Sequence, residues 1–279
     1  MISQKVVLVT GANRGLGFAI VSIAATRDPS AHYILTCRDL EDGQKAINEL
    51  RKNGVTASIE SVQLEVTKDA DIAKVVESIT ISHGKLDGEN AQSADTCLEP
   101  DLISFSVLIN NAGIARMPMD TSLPTIRAAY TEMFDVNVTS VACICAAFQP
   151  LLAKSVKPKV INITSGLGSI ANSLSKKMHR SPPYGTSKVA LNGLTAHLQT
   201  AENDRVALEK DQGVFTGGPM INYYCVAPGF LKTAFTHFNE RGKDPFAGAE
   251  VVVRLVIDDT YPGGTQWEFE GGSMQQVPW

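Results

Sequence analysis

Along this chain, apolar and β-branched bursts alternate with stretches whose apolar positions recur at helical spacing. The bursts are KVVLVT (5–10), HYILTC (32–37), SIESVQLEV (58–66), VLINNAG (107–113), KVINITS (159–165) and INYYCVAP (221–228). Several are apolar on consecutive residues, as strands are when both faces are covered. Between them the periodicity predicts helices over 16–27, 40–53, 69–82, 124–154, 183–204 and 246–257. Alternating strands and helices predict an α/β fold, a doubly wound parallel β-sheet with helices on both faces. Ligands of such sheets bind at the carboxyl ends of the strands.

Composition narrows the function classes. The 279 residues carry a net charge of −4, with 44% hydrophobic and 19% charged residues. That length suits one large α/β domain or two small ones, and without a convincing linker a single domain spanning 1–279 is expected. No basic excess points to nucleic acid. No apolar run reaches membrane-spanning length and no signal peptide opens the chain, so no membrane role is expected. The five cysteines (Cys37, Cys97, Cys143, Cys145, Cys225) are odd in number and scattered. Free buried thiols are expected, which fits a reducing, cytoplasmic setting. Cys143 and Cys145, two apart on a helix, face different ways, and no metal site is expected.

The run LVTGANRGLG follows the first strand and opens the first helix. Its spacing is G-x-x-x-G-x-G rather than G-x-G-x-x-G. Gly11 permits a tight turn, Gly15 lets backbone approach a pyrophosphate, and Gly17 lets the helix pack on the sheet. The helix N-terminus offers free N–H groups to phosphate. A glycine-rich turn without ligand is the competing reading. The second strand ends TCRD, with Cys37 where an NAD-binding fold places its ribose acid and Arg38 beside it. Arg14 lies inside the loop. Two guanidinium groups would favour the 2′-phosphate of NADP(H). A solvated strand-end charge is the alternative for Arg38, and Asp39 is the remaining candidate for a ribose acid.

Four further residues follow in order. Asn137 is in FDVNV on the long middle helix, Ser165 ends the fifth strand in INITSG, and Tyr184 and Lys188 form Y-G-T-S-K. Spacing i, i+4 puts Tyr184 and Lys188 on one helical face. With TGANRGLG, NNAG (110–113) and PGFLKT (228–233), this chain resembles the short-chain dehydrogenase/reductase family over nearly its whole length. TCRD and the closing GGTQWEFEGGSMQQVPW look most like its carbonyl-reductase-type members.

The resemblance implies a Rossmann-type, three-layer αβα fold, NADP(H) as cofactor and reduction of a small-molecule carbonyl. Tyr184 would give a proton to the carbonyl oxygen as hydride arrives from nicotinamide, its pKa lowered by Lys188 and the nicotinamide charge. Ser165 would hydrogen-bond the same oxygen, Lys188 would also hold the nicotinamide ribose, and Asn137 would anchor a water relaying protons to Lys188. Cofactor contacts would come from Gly11, Asn13, Arg14, Gly15, Leu16 and Gly17, from Arg38, and from Glu65 and Val66 beside the adenine. Asn111, Ala112 and Gly113, Tyr184 and Lys188, and Pro228, Gly229 and Thr233 would complete the set. Relatives usually carry Asp at the Glu65 position.

The chain departs from the family in places. GKLD (84–87) and VLINNAG are separated by residues 88–106, which are either a surface insertion or a translated intron. Residues 206–220, polar and Gly/Pro-rich, are expected as a surface loop. In the longer span from Ser165 to Tyr184, Leu174 and Met178 are expected to pack rather than line a pocket. Lys176, Lys177, His179 and Arg180 there are expected to be solvated. Residues 230–250 are expected to form a lid, whose Phe230, Phe235 and Phe238 either wall the substrate or pack on one another. An alcohol dehydrogenase running oxidatively and a catalytically impaired cofactor-binding scaffold are the alternative functions. Monomer and homo-oligomer both remain open.

Overall fold

The computed structural model describes residues 4–83, 104–175, 181–213 and 218–279. Along the chain come β1 (Lys5–Val9), α1 (Gly15–Arg27), β2 (His32–Cys37), α2 (Leu40–Lys52), β3 (Ser58–Gln63), α3 (Asp69–His83) and β4 (Ser104–Asn110). Then follow α4 (Leu123–Phe134), a π-helical turn (Asp135–Thr139), α5 (Ser140–Leu152), β5 (Lys159–Ile163), α6 (Ile170–Ser175) and α7 (Pro182–Gln212). Last are β6 (Asn222–Val226), α8 (Pro245–Ile257), β7 (Thr265–Glu270) and β8 (Ser273–Val277). The strands form one sheet in the order β3-β2-β1-β4-β5-β6-β7-β8. All neighbours pair parallel except β7 and β8.

The sheet splits its side chains between two cores. Val7, Val9, Leu35, Ile109, Ile161 and Val226 point into one, shared with α1 and α8. Val6, Leu8, Ile34, Leu108 and Val160 point into the other, shared with α3 and α5. Alternate strand residues thus face opposite layers, and both layers are apolar. The strand order reverses on either side of β1, which opens a crevice at the carboxyl ends of β1 and β4.

A buried cation fixes the far end of this frame. Lys159, at the start of β5, donates to the carbonyls of Leu255 (2.7 Å) and Asp258 (2.9 Å) and pairs with Asp259 (2.7 Å). It thereby satisfies carbonyls at the C-terminus of α8, where positive charge is favourable. Burial pushes its pKa below the usual lysine value, against the pull of Asp259.

Several expected elements need correction. The long middle helix is α4 and α5 joined through the π-turn. The run Leu123–Leu152 is long and apolar enough to cross a membrane by length and composition, although no run of that length was expected. Here it packs against α3, α7 and β4, as a core helix does. The expected loop at 206–220 is helix as far as Gln212, because Arg205 is clamped between Glu202 (2.6 Å) and Glu209 (2.9 Å) on one helical face. Helix α7 then ends on Gly213 at φ +67°. Residues 104–106 belong to β4 rather than to the extra segment, and Phe105 is buried against Phe148, ring centroids 5.1 Å apart. The rest of that segment through residue 103, together with Met178 and the basic cluster at 176–180, lies outside the described residues.

The terminal strands and α6 had no counterpart in the hydrophobic pattern. β7 and β8 mix polar and apolar residues at this end of the sheet. Their signal is the turn: Gly271 and Gly272 both adopt positive φ (58° and 82°) between them. A two-residue Gly-Gly link between strand-length runs marks a hairpin.

Candidate active site

The glycine loop is built around Thr10 and Asn111. The Thr10 hydroxyl accepts from the N–H groups of Asn111 and Ala112, both at 2.9 Å. The Asn111 amide donates back to the carbonyls of Thr10 (2.8 Å) and Gly11 (3.1 Å). These bonds lock the end of β1 to the end of β4. Thr10 was not among the expected site residues. Its position just before Gly11, at a strand end, is the available signal.

The loop fits a dinucleotide pyrophosphate. Gly11 and Gly15 adopt φ of +61° and +59°, a region that favours glycine. A Cβ at Gly17 would stand 2.6 Å from the Asn111 amide nitrogen and 2.7 Å from the Gly11 carbonyl, so position 17 admits no side chain. Arg14 occupies the N-cap of α1 in extended conformation and makes no side-chain cap bond. Uncapped N–H groups at a helix start attract an anion. Asn13 and Leu16 lie in the same loop, and Thr233 approaches it from the other side, 3.5 Å from a Cβ placed on Gly15.

The next positions line the same edge of the sheet. Cys37 is buried and donates to the Asp39 carbonyl (3.0 Å), whereas Arg38 is exposed. The Asp39 carboxylate accepts from the Glu41 N–H at 2.8 Å and caps α2, so it is engaged as a helix cap. Glu65 is half-buried and Val66 buried just past β3, with the Glu65 N–H held by Asp71 (3.1 Å). Pro228 and Gly229, the latter at φ +89°, follow β6.

Asn137, Ser165, Tyr184 and Lys188 are brought together beside this crevice. Asn137 is fully buried in the π-turn, a deformation common at functional sites. Its Oδ1 accepts from the Ile114 N–H (2.9 Å), and its Nδ2 donates to the Ile114 carbonyl (2.9 Å) and to Ser187 (3.0 Å). A Cβ on Gly113 would stand 3.1 Å from Asn137 Oδ1 and 3.8 Å from Lys188 Nζ, so glycine keeps the space between them open. Lys188 is buried and donates to the Ile163 carbonyl at 2.7 Å. Burial brings its pKa down to about 8. Its ammonium lies 5.7 Å from the centre of the Tyr184 ring.

In the free protein burial pushes the Tyr184 pKa up to about 12, and the Ser165 hydroxyl pulls the other way; the expected lowering counts on the nicotinamide charge together with Lys188. Desolvation of the phenolate exceeds the stabilisation the free protein offers it. Ser165 itself caps a short 3₁₀ turn, Gly166–Gly168, its Oγ accepting from the Leu167 N–H at 3.2 Å.

The mouth above this group is apolar. The Phe235 ring meets Tyr184 edge-on at 5.8 Å. Phe235 lies on a 3₁₀ turn (Ala234–Thr236) held by reciprocal Thr233–Thr236 capping, so one of the three lid phenylalanines reaches the site. Phe230 and Phe238 remain exposed, and residues 245–250 belong to α8 rather than to the lid. Leu174, expected to pack, is 83% exposed on α6. Met117 touches Ser181 (3.2 Å) at the start of α7.

Known proteins resemble this chain in sequence and in fold. The short chain dehydrogenase family model matches residues 5–91 and 99–244. A short-chain dehydrogenase/reductase of Aspergillus fumigatus is 48% identical over 99% of this chain and 98% of its own. Among solved structures, the NADPH-bound carbonyl reductase from chicken fatty liver superposes with a TM-score of 0.75 at 23% identity, covering all of both chains. A metagenomic short-chain oxidoreductase in complex with NADP gives 0.65 at 24%, covering 95% of this chain and 96% of its own. A fold this similar, a family model matched over most of the chain and a full-length relative of such identity lead to one assignment: the chain belongs to the short-chain dehydrogenase/reductase family, whose members are NAD(P)-linked oxidoreductases.

Proposed function

We propose that this protein is an NADPH-dependent reductase that converts a carbonyl of a small apolar molecule into an alcohol. The observation that carries the reading is the meeting of Ser165, Tyr184 and Lys188 beside a glycine loop whose Gly17 leaves no room for a Cβ. Bound at that loop, NADPH supplies the hydride. Tyr184 gives its phenolic proton to the carbonyl oxygen, and the Ser165 hydroxyl donates a hydrogen bond to the same atom. The Lys188 ammonium, protonated at neutral pH with a pKa near 8, favours the phenolate left behind. Asn137 holds the backbone at Ile114 and, through Ser187, the first turn of α7.

Burial keeps Tyr184 protonated in the free site, the state a proton donor to a carbonyl requires. Arg14 and Arg38, both exposed, support NADPH over NADH, as does the engagement of Asp39 in capping α2. The structural relatives holding NADPH and NADP are in line with that choice. Phe235 over Tyr184 and Met117 beside Ser181 favour an apolar substrate.

The test is NADPH oxidation with a panel of apolar ketones and quinones, wild type against Tyr184→Phe. Loss of the proton donor should lower kcat by about 10²–10⁴-fold while NADPH still binds. Unchanged turnover in Tyr184→Phe would remove the tyrosine from the mechanism.

A further inference from the structure

The Ser165 turn is gripped from behind by two buried side-chain amides. Gln266, on β7, has no exposed surface, and Asn192, on α7, is nearly as buried. The Gln266 Nε2 donates to the Ser165 carbonyl (3.0 Å) and to the Thr164 hydroxyl (3.1 Å). Its Oε1 accepts from Asn192 Nδ2 at 2.9 Å. That same nitrogen donates to the Gly168 carbonyl, also at 2.9 Å. The pair therefore holds the first and last carbonyls of the turn that Ser165 opens. Gly168 completes the fit. A Cβ there would stand 2.9 Å from the Lys188 carbonyl and 3.0 Å from the Asn192 amide, so only glycine lets the turn lie on α7.

The arrangement is specific to amides. Gln266 acts as donor and acceptor at once, which neither a carboxylate nor an apolar side chain of that size can do. Asn192 spends both its donor contacts on this grip, and its Oδ1 is left buried with no hydrogen-bond partner. A stranded acceptor is costly, so the orientation is dictated by the two carbonyl-side contacts. Asn192 is also one helical turn beyond Lys188. The grip thus ties the Ser165 turn to the same helix that carries Tyr184 and Lys188.

We propose that Gln266 and Asn192 are positioning residues for catalysis, fixing the Ser165 hydroxyl relative to Tyr184 through the Ser165–Gly168 turn. This rests on the reading of Ser165 as the hydrogen-bond donor to the carbonyl oxygen. It gives β7 a task in the reaction that its distance from the crevice in sequence conceals. Without the grip, Ser165 still exists but no longer meets the substrate oxygen and Tyr184 together.

A double-mutant cycle separates this from simple support of the fold. Gln266→Leu, Ser165→Ala and the double variant are compared for kcat and for NADPH affinity. Gln199→Leu is the control. It is another buried amide on α7, but it serves the N–H of Tyr223 rather than the Ser165 turn. Ser165→Ala alone should lower kcat by about 10²-fold. Gln266→Leu should lower kcat by about 10-fold with NADPH affinity changed less than about twofold, and Ser165→Ala should then cost about 10-fold less than in the wild-type background. Gln199→Leu should lower Tm and leave kcat within about twofold. Asn192→Ser runs through the same cycle, so the result does not depend on Gln266→Leu folding. Strictly additive losses in both cycles overturn the grip alone. Wild-type kcat in Ser165→Ala overturns the reading of Ser165, and the grip with it.

Discussion

Arg38 is exposed one residue beyond the buried Cys37, at the edge where an adenosine ribose would lie in the proposed complex. A guanidinium–phosphate contact of 1.5–3 kcal/mol corresponds to about 10- to 100-fold in affinity. Arg38→Ala should therefore raise the KM for NADPH by about that factor and leave the KM for NADH nearly unchanged; equal effects on both would mean that Arg38 does not read the 2′-phosphate. Tyr184 offers a second test at this scale. Ultraviolet titration of wild type minus Tyr184→Phe should show no tyrosinate from Tyr184 below about pH 10 in the free protein, since its pKa is pushed up to about 12. A difference signal near pH 7 would show that Lys188 alone already ionises it. The i, i+4 placement of Tyr184 and Lys188 was legible in the sequence because a helix converts spacing into proximity. The balance of burial against hydrogen bonding at that phenol was not, because it depends on Ser165, which is distant in sequence. Gln266 was equally hidden: it meets Ser165 across 101 residues of chain, and no local pattern encodes that contact.

At the scale of elements, bursts with apolar residues on both faces were easiest to place. β1 and β2 are buried along nearly their whole length, and both were read within one residue of their observed ends. The edge was harder. β7 and β8 carry Glu268, Glu270, Gln275 and Gln276 among their apolar residues, so their pairing is signalled by the Gly271–Gly272 turn rather than by hydrophobicity. Helix α7 outran its expected end because Glu202, Arg205 and Glu209 make a polar sequence helical through side-chain pairs. β4 is the element on which the boundary of the extra segment turns. Phe105 fills the core between β4 and α5. Phe105→Ala should lower stability by about 3–5 kcal/mol in a urea titration, the cost of deleting a buried aromatic ring. A neutral outcome would place residues 104–106 outside the folded core and restore the wider boundary.

At the scale of the whole molecule, the crevice beside β1 receives every part of the proposed reaction. The sheet order reverses there, the glycine loop leaves β1, Asn111 leaves β4, and Ser165 leaves β5. The α5 side contributes Asn137, α7 contributes Tyr184 and Lys188, and β7, next to the edge strand, reaches back through Gln266. The central claim is hydride transfer to a carbonyl with Tyr184 as proton donor. The most direct measurement uses NADPH deuterated at both C4 positions with an apolar aryl ketone, followed by mass spectrometry of the product. The account predicts an alcohol bearing one deuterium on its carbinol carbon, formed by the wild type and suppressed about 10²-fold or more in Tyr184→Phe. NADPH binding with no deuterium transferred to any carbonyl, or transfer undiminished in Tyr184→Phe, would contradict it.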